Sequence, residues 1–129
     1  MLKEIIICII IVFVIFFGNS TIQKYTKESV SEISNGLMQL REDLTNQNVE
    51  NNKAKEKMNE VYSKWEKKHD KLAYFIEHDE LEKVETDLVS IKSYIETQEY
   101  EQAVGELDKG AFVLKHIEDK YAFNLQNIF

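Results

Sequence analysis

The sequence predicts an all-α protein, with an N-terminal transmembrane helix, a helical stalk and a small antiparallel bundle of three (or four) helices. Three observations predict it. Ile5 to Phe17 is an unbroken apolar run. Beyond it, apolar residues recur at alternating steps of three and four, the spacing of one helix face. The chain has no proline and only four glycines, Gly18, Gly36, Gly105 and Gly110, too few for the turns of an all-β fold. A length of 129 residues leaves room for one small domain, divided here as an anchor over 1–22, a stalk over 23–54 and a bundle over 55–129.

The apolar run comes first. At about 1.5 Å per residue, Leu2 to Gly18 reaches only about 25 Å, so Asn19 to Ile22 must help to cross a bilayer core of roughly 30 Å. Residues 2–22 are therefore expected to hold the chain in the cell membrane as a single pass. A removable signal segment is the alternative, because a run of this length also fits a signal core and Gly18-Asn19-Ser20 supplies small residues for cleavage. Lys3 and the α-amino group nearly balance Lys24 and Lys27, so the charge rule does not set the orientation. The layout is that of a signal anchor, which places the C-terminal domain outside the cytoplasm. Cys8 is the one cysteine; the chain has no internal disulfide, and a cysteine-free domain suits an oxidising exterior.

Next, Val30, Ile33, Leu37, Leu40 and Leu44 form a coiled-coil-like seam. The phase continues through Gln47, Asn51, Ala54, Met58, Val61, Trp65, Lys68, Leu72 and Phe75, which predicts one long helix despite Asn46, Asn48, Asn51 and Asn52. Ile33, Leu37, Leu40 and Leu44 would then be free to pair with a second copy. The phase restarts at Leu81, Val84, Leu88, Ile91 and Ile95, with Asp79 and Glu82 placed as a capping box. A last stripe runs through Tyr100, Ala103, Leu107, Leu114, Ile117, Tyr121 and Leu125, with Thr97 as its expected cap. The bundle helices are thus expected near 55–77, 79–97 and 99–125. Gly110, inside the last of them, predicts a close helix approach.

Charge narrows the function classes. The net charge is -7, which repels phosphate backbones, and no strongly basic face argues for nucleic-acid binding. Lys53 to Lys71 carries seven lysines against four acids, whereas Glu77 to Asp108 carries eleven acids against Lys83 and Lys92. Opposite fields predict that these two helices pair. No nucleophile elbow or glycine-rich phosphate loop is present, so an enzyme is not expected and no cofactor is implied.

Two histidine positions raise a sensor as the alternative function. Glu66 and His69 have the E-x-x-H spacing of bundle metal sites, but a dinuclear site needs it twice and Phe75 and Val113 stand three residues before His78 and His116. His78 lies among Glu77, Asp79, Glu80 and Glu82, a setting for metal binding or pH sensing as well as for a helix start rich in acids.

Trp65, His69 and Leu72, the run Phe75-Ile76-Glu77-His78-Asp79-Glu80-Leu81 and the ending Asn127-Ile128-Phe129 carry a family resemblance. The chain resembles DUF4363, a bacterial domain of unknown function in small single-pass membrane proteins, over essentially its whole length. The resemblance implies a membrane helix and a helical exported domain, and lends no activity, substrate or cofactor. Trp65, His69, Glu77, His78, Asp79, Glu80, Asn127, Ile128 and Phe129 are the motif or interaction candidates. The expected function is a membrane-tethered interaction or scaffold module, held by residues 2–22 and working through a protein partner or through self-association of the stalk.

Overall fold

The computed structural model describes residues 1–128, and their side chains as far as Tyr121. Four helices account for nearly all of it: α1 (Leu2–Thr45), α2 (Asn51–Leu72), α3 (His78–Glu96) and α4 (Tyr100–Ile128). The all-α bundle is present in its four-helix form. α1 packs against α2 and α4, and α3 packs against the same two helices, so short connections join antiparallel neighbours around one core.

α1 has two regimes in one continuous helix. From Leu2 to Phe17 its apolar side chains stand exposed, with Val12 at 65% and Phe17 at 61%. From Thr26 onward its inner stripe, Val30, Ile33, Leu37, Leu40 and Leu44, is buried. The segment expected as a free stalk is therefore the first member of the bundle, and the seam expected to pair with another copy is covered by α2 and α4.

The long-helix expectation fails at Asn46, which takes an extended conformation (φ -69°, ψ 144°) and ends α1. α2 then runs back along α1. Lys64 reaches both Glu32, at 3.8 Å, and Glu60, at 3.1 Å, whereas a continuous helix would hold those two acids about 42 Å apart. Burial explains the outcome. Ala54, Met58, Val61, Trp65 and Leu72 meet the α1 stripe in a common core, each large side chain contributing about 1.5–3 kcal/mol, and helical phase alone supplies nothing comparable.

Gly36 and Val61 show how closely the two helices approach. A Cβ on Gly36 would lie 2.8 Å from Val61 Cγ2. Gly110 likewise faces α3, where an added Cβ would meet Asp87 Cβ at 3.4 Å, as its position in the stripe predicts.

Both expected caps are placed differently. α3 begins at His78 with Glu77 as its N-cap residue, so Asp79 lies in the first turn and caps nothing. Thr97 closes the end of α3, its hydroxyl donating to Glu99 Oε2 at 2.7 Å with the carbonyls of Ser93 and Tyr94 also within reach at 3.3 Å. Gln98 follows at φ 59°, and the amide of Glu99 donates to the Tyr94 carbonyl at 2.8 Å. That is a Schellman closure with glutamine in the left-handed position where glycine is favoured.

Candidate functional site

The α2–α3 turn is fastened by the far end of α4. Tyr121 and Lys120 lie on α4 where it passes the turn. The amide of Glu77 donates to Tyr121 Oη at 3.1 Å, and Lys120 Nζ donates to Glu77 Oε1 at 3.0 Å and to Glu80 Oε1 at 3.4 Å. His116, one turn before Lys120, brings Nε2 to 3.7 Å from the same Glu80 oxygen. Glu80 is only 7% exposed, and its Oε2 has no partner among the described residues. A buried carboxylate is costly unless a cation faces it, and the Lys120 ammonium does so, with the His116 imidazole beside it. The hydrogen bond to Glu77, helped by the charge of Glu80, holds Lys120 above the ordinary ammonium range.

A second polar cluster ties α2 to α3. Tyr62 Oη donates to Glu85 Oε1 at 2.6 Å, and the indole N–H of the buried Trp65 donates to Glu85 Oε2. A buried tryptophan needs such an acceptor. The bond to Glu85 favours the neutral phenol and pushes Tyr62 up to about 12.

The third feature is an open groove of about 870 Å³ between α3 and α4. Gly105 on α4 leaves its wall open and Phe112 stands 74% exposed in it. Asp79, Glu82, Asp87 and Asp108 outnumber Lys83 and Lys109 around it. Burial, with the negative charge of Glu106 nearby, raises Asp87 above the ordinary carboxylate range. Asp108 is held from α1 by Arg41 at 2.8 Å. The groove joins one large apolar ring to an excess of acids, which suits recognition of a basic segment with an apolar face.

A family model for a domain of unknown function, DUF4363, matches residues 20–128. The chain belongs to the DUF4363 family. No curated protein and no solved structure matches it. The DUF4363 region starts just after the exposed apolar run and takes in the whole bundle, including the part of α1 expected as stalk.

Within the DUF4363 domain the predicted site residues scatter. Trp65 is core, and His69 packs edge-on against it at 5.6 Å between ring centroids, with Nδ1 3.4 Å from Asp70. Glu77 and Glu80 belong to the α4 fastening. His78 and Asp79 are exposed in the first turn of α3, and the imidazole facing Glu80 is that of His116, from another helix. Among the described residues no group of three metal-ligating side chains converges. The side chains of Asn127 and Ile128, and all of Phe129, lie outside the described residues.

Sequence reasoning missed Glu85, Lys120 and Tyr121 as a double acceptor. Glu85 had a signal: it directly follows Val84 in the α3 stripe, at the edge of a core that holds a tryptophan in need of an acceptor. The expected α2–α3 ion pairing also differs. Lysines of α2 bridge to Asp43 and Glu32 of α1 and to Glu60 of α2 itself, while α3 is joined through Tyr62, Trp65 and the Lys92 ammonium over the Tyr62 ring.

Proposed function

We propose that the protein is a membrane-tethered helical interaction module without catalytic activity, its bundle lying outside the cytoplasm. The observation that carries the reading is α1: one helix whose first part is apolar and unburied and whose second part is built into the core. Such a helix couples a bilayer anchor rigidly to a folded domain. The helix runs unbroken through Gly18 to Ser20 into the bundle, with the Thr21 hydroxyl donating to the Phe17 carbonyl at 2.9 Å. The α3–α4 groove offers the interaction surface, and its chemistry suits a basic partner segment.

Protease added to intact protoplasts tests the topology. Digestion of residues 23–129 with survival of the anchor supports the proposal; full protection until lysis reverses the orientation, and a mature chain lacking residues 1–20 in the medium replaces the anchor by a signal. A photo-crosslinker at Lys109, on the wall of the groove, tests the surface, with a discrete adduct in native membranes expected and lost in Phe112→Asp.

A further inference from the structure

We infer that the α2–α3 turn is a second membrane contact, with Tyr74 and Phe75 seated in the headgroup layer of the bilayer that α1 crosses. The inference rests on the proposed anchor and extends it to a distant part of the sequence.

The level of the turn follows from a bridge. Tyr121 accepts a hydrogen bond at its carbonyl from Gln23 Nε2, at 3.0 Å, and another at its hydroxyl from the amide of Glu77, at 3.1 Å. One α4 residue thus joins α1 at Gln23 to the turn. The register of α1 against α2 agrees: Glu32 meets Lys64 and Lys68, and the Tyr25 ring lies 5.6 Å and 5.7 Å from the ammonium groups of Lys68 and Lys71. α2 ends at Leu72, one residue past Lys71, so the turn that holds Tyr74 and Phe75 opens at this membrane-side end of the register.

Gln23 follows the last residue of the apolar run by about 9 Å of helix. The polar layer of a bilayer is about 5–8 Å deep on each side. Because Asn19 to Ile22 complete the crossing of the core, Gln23 and the turn beside it stand within that layer, where an aromatic side chain can seat. Tyr74 is 84% exposed, with the neighbouring Phe75 ring 6.4 Å away between centroids. Phe75 beside it is half-buried, and such a pair suits a membrane interface, where an apolar ring and a polar hydroxyl meet opposite media. Lys24, Lys27 and Lys71 near this level offer ammonium groups to phosphates, but Glu28 and Asp70 offset two of them and Glu77 is paired with Lys120, so the contact is chiefly aromatic and requires no anionic lipid.

The test uses the full chain in phosphatidylcholine vesicles, with Cys8→Ser and a single nitroxide at Ala73→Cys, next to the turn aromatics. Val12→Cys and Val89→Cys serve as controls for the apolar segment and for the middle of α3. Collision rates with oxygen and with a neutral nickel chelate report depth. The expected result is an oxygen-to-nickel ratio highest at position 12, lowest at 89, and several-fold above the latter at 73. Tyr74→Ser should lower the ratio at 73 and Tyr74→Trp should keep it; both leave the core untouched. A ratio at 73 equal to that at 89, with 12 in the bilayer, overturns this inference and leaves the anchor standing. An aqueous value at 12 overturns the anchor and the inference together. Loss of nickel collisions at 73 without gain of oxygen, with dipolar broadening, would assign the turn to contact with a second copy and also overturn it.

Discussion

Replacing Gly36 by alanine tests the α1–α2 hairpin through a sign that depends on background. In an isolated helix the change stabilises by about 0.8–1.0 kcal/mol, since glycine is a poor helix former. In the bundle the new Cβ falls 2.8 Å from Val61 Cγ2. Valine is stiff at χ1 in a helix and cannot turn the methyl aside, and overpacking of this kind costs about 1–3 kcal/mol. The net expectation for Gly36→Ala is a loss of about 0–2 kcal/mol. In a Val61→Ala background the clash is gone, and the same change should gain about 1 kcal/mol. The cycle therefore predicts a coupling of about 1–3 kcal/mol, within the range measured for touching residues. Urea unfolding of the full chain in detergent micelles, followed by circular dichroism and by the fluorescence of the sole tryptophan, Trp65, measures all four corners. Equal stabilisation by Gly36→Ala in both backgrounds would refute the packing of α1 on α2.

Further expectations concern the joints of the bundle. Gln98→Gly should stabilise by about 0.5–1 kcal/mol, because it relieves a left-handed glutamine (φ 59°) in a position that glycine occupies at less cost. Glu85→Ala strands the indole N–H of Trp65 and should cost about 1–3 kcal/mol, with Glu85→Gln recovering much of it. In either variant Tyr62 should titrate well below about 12, closer to 10.0. With the folded value raised, this interaction contributes stability that is full below pH 10.0 and is lost as pH rises toward about 12. Asp87→Asn should raise the melting temperature at pH 7, since the folded state disfavours that ionised carboxyl, and the gain should fade as pH falls toward 3.8, where wild-type Asp87 is itself protonated.

Much of this fold is legible in the sequence, and the errors have identifiable physical causes. The stripes through Val30 to Leu44, Leu81 to Ile95 and Ala103 to Ile117 are the buried ones, because a helix face of three-four spacing must be covered. The break at Asn46 was legible in composition and hidden in phase. Leu44 and Ala54 are ten residues apart, a separation that three-four steps reproduce, so the five-residue connection left the count undisturbed. At the end of α2 the phase pointed to Phe75, yet Ile76 is the buried residue, since the helix has already ended at Leu72. The fastening of Glu77 and Glu80 by His116, Lys120 and Tyr121 joins residues some forty positions apart. No local pattern encodes such a pairing. The E-H-D-E run reads as a helix start rich in acids, and two of those acids, Glu77 and Glu80, are held by α4 rather than by His78.

The account turns on one helix serving both as the exposed apolar segment and as the first member of the bundle. A pulsed dipolar distance between nitroxides at Glu32→Cys and Glu60→Cys, in the Cys8→Ser chain reconstituted in vesicles, tests this most directly. Both native carboxylates lie within 4 Å of the Lys64 ammonium, so a single short distance is predicted, below about 20 Å once the label arms are added to antiparallel helix axes 8–10 Å apart. A distance near 42 Å, that of twenty-eight residues of uninterrupted helix, would contradict it.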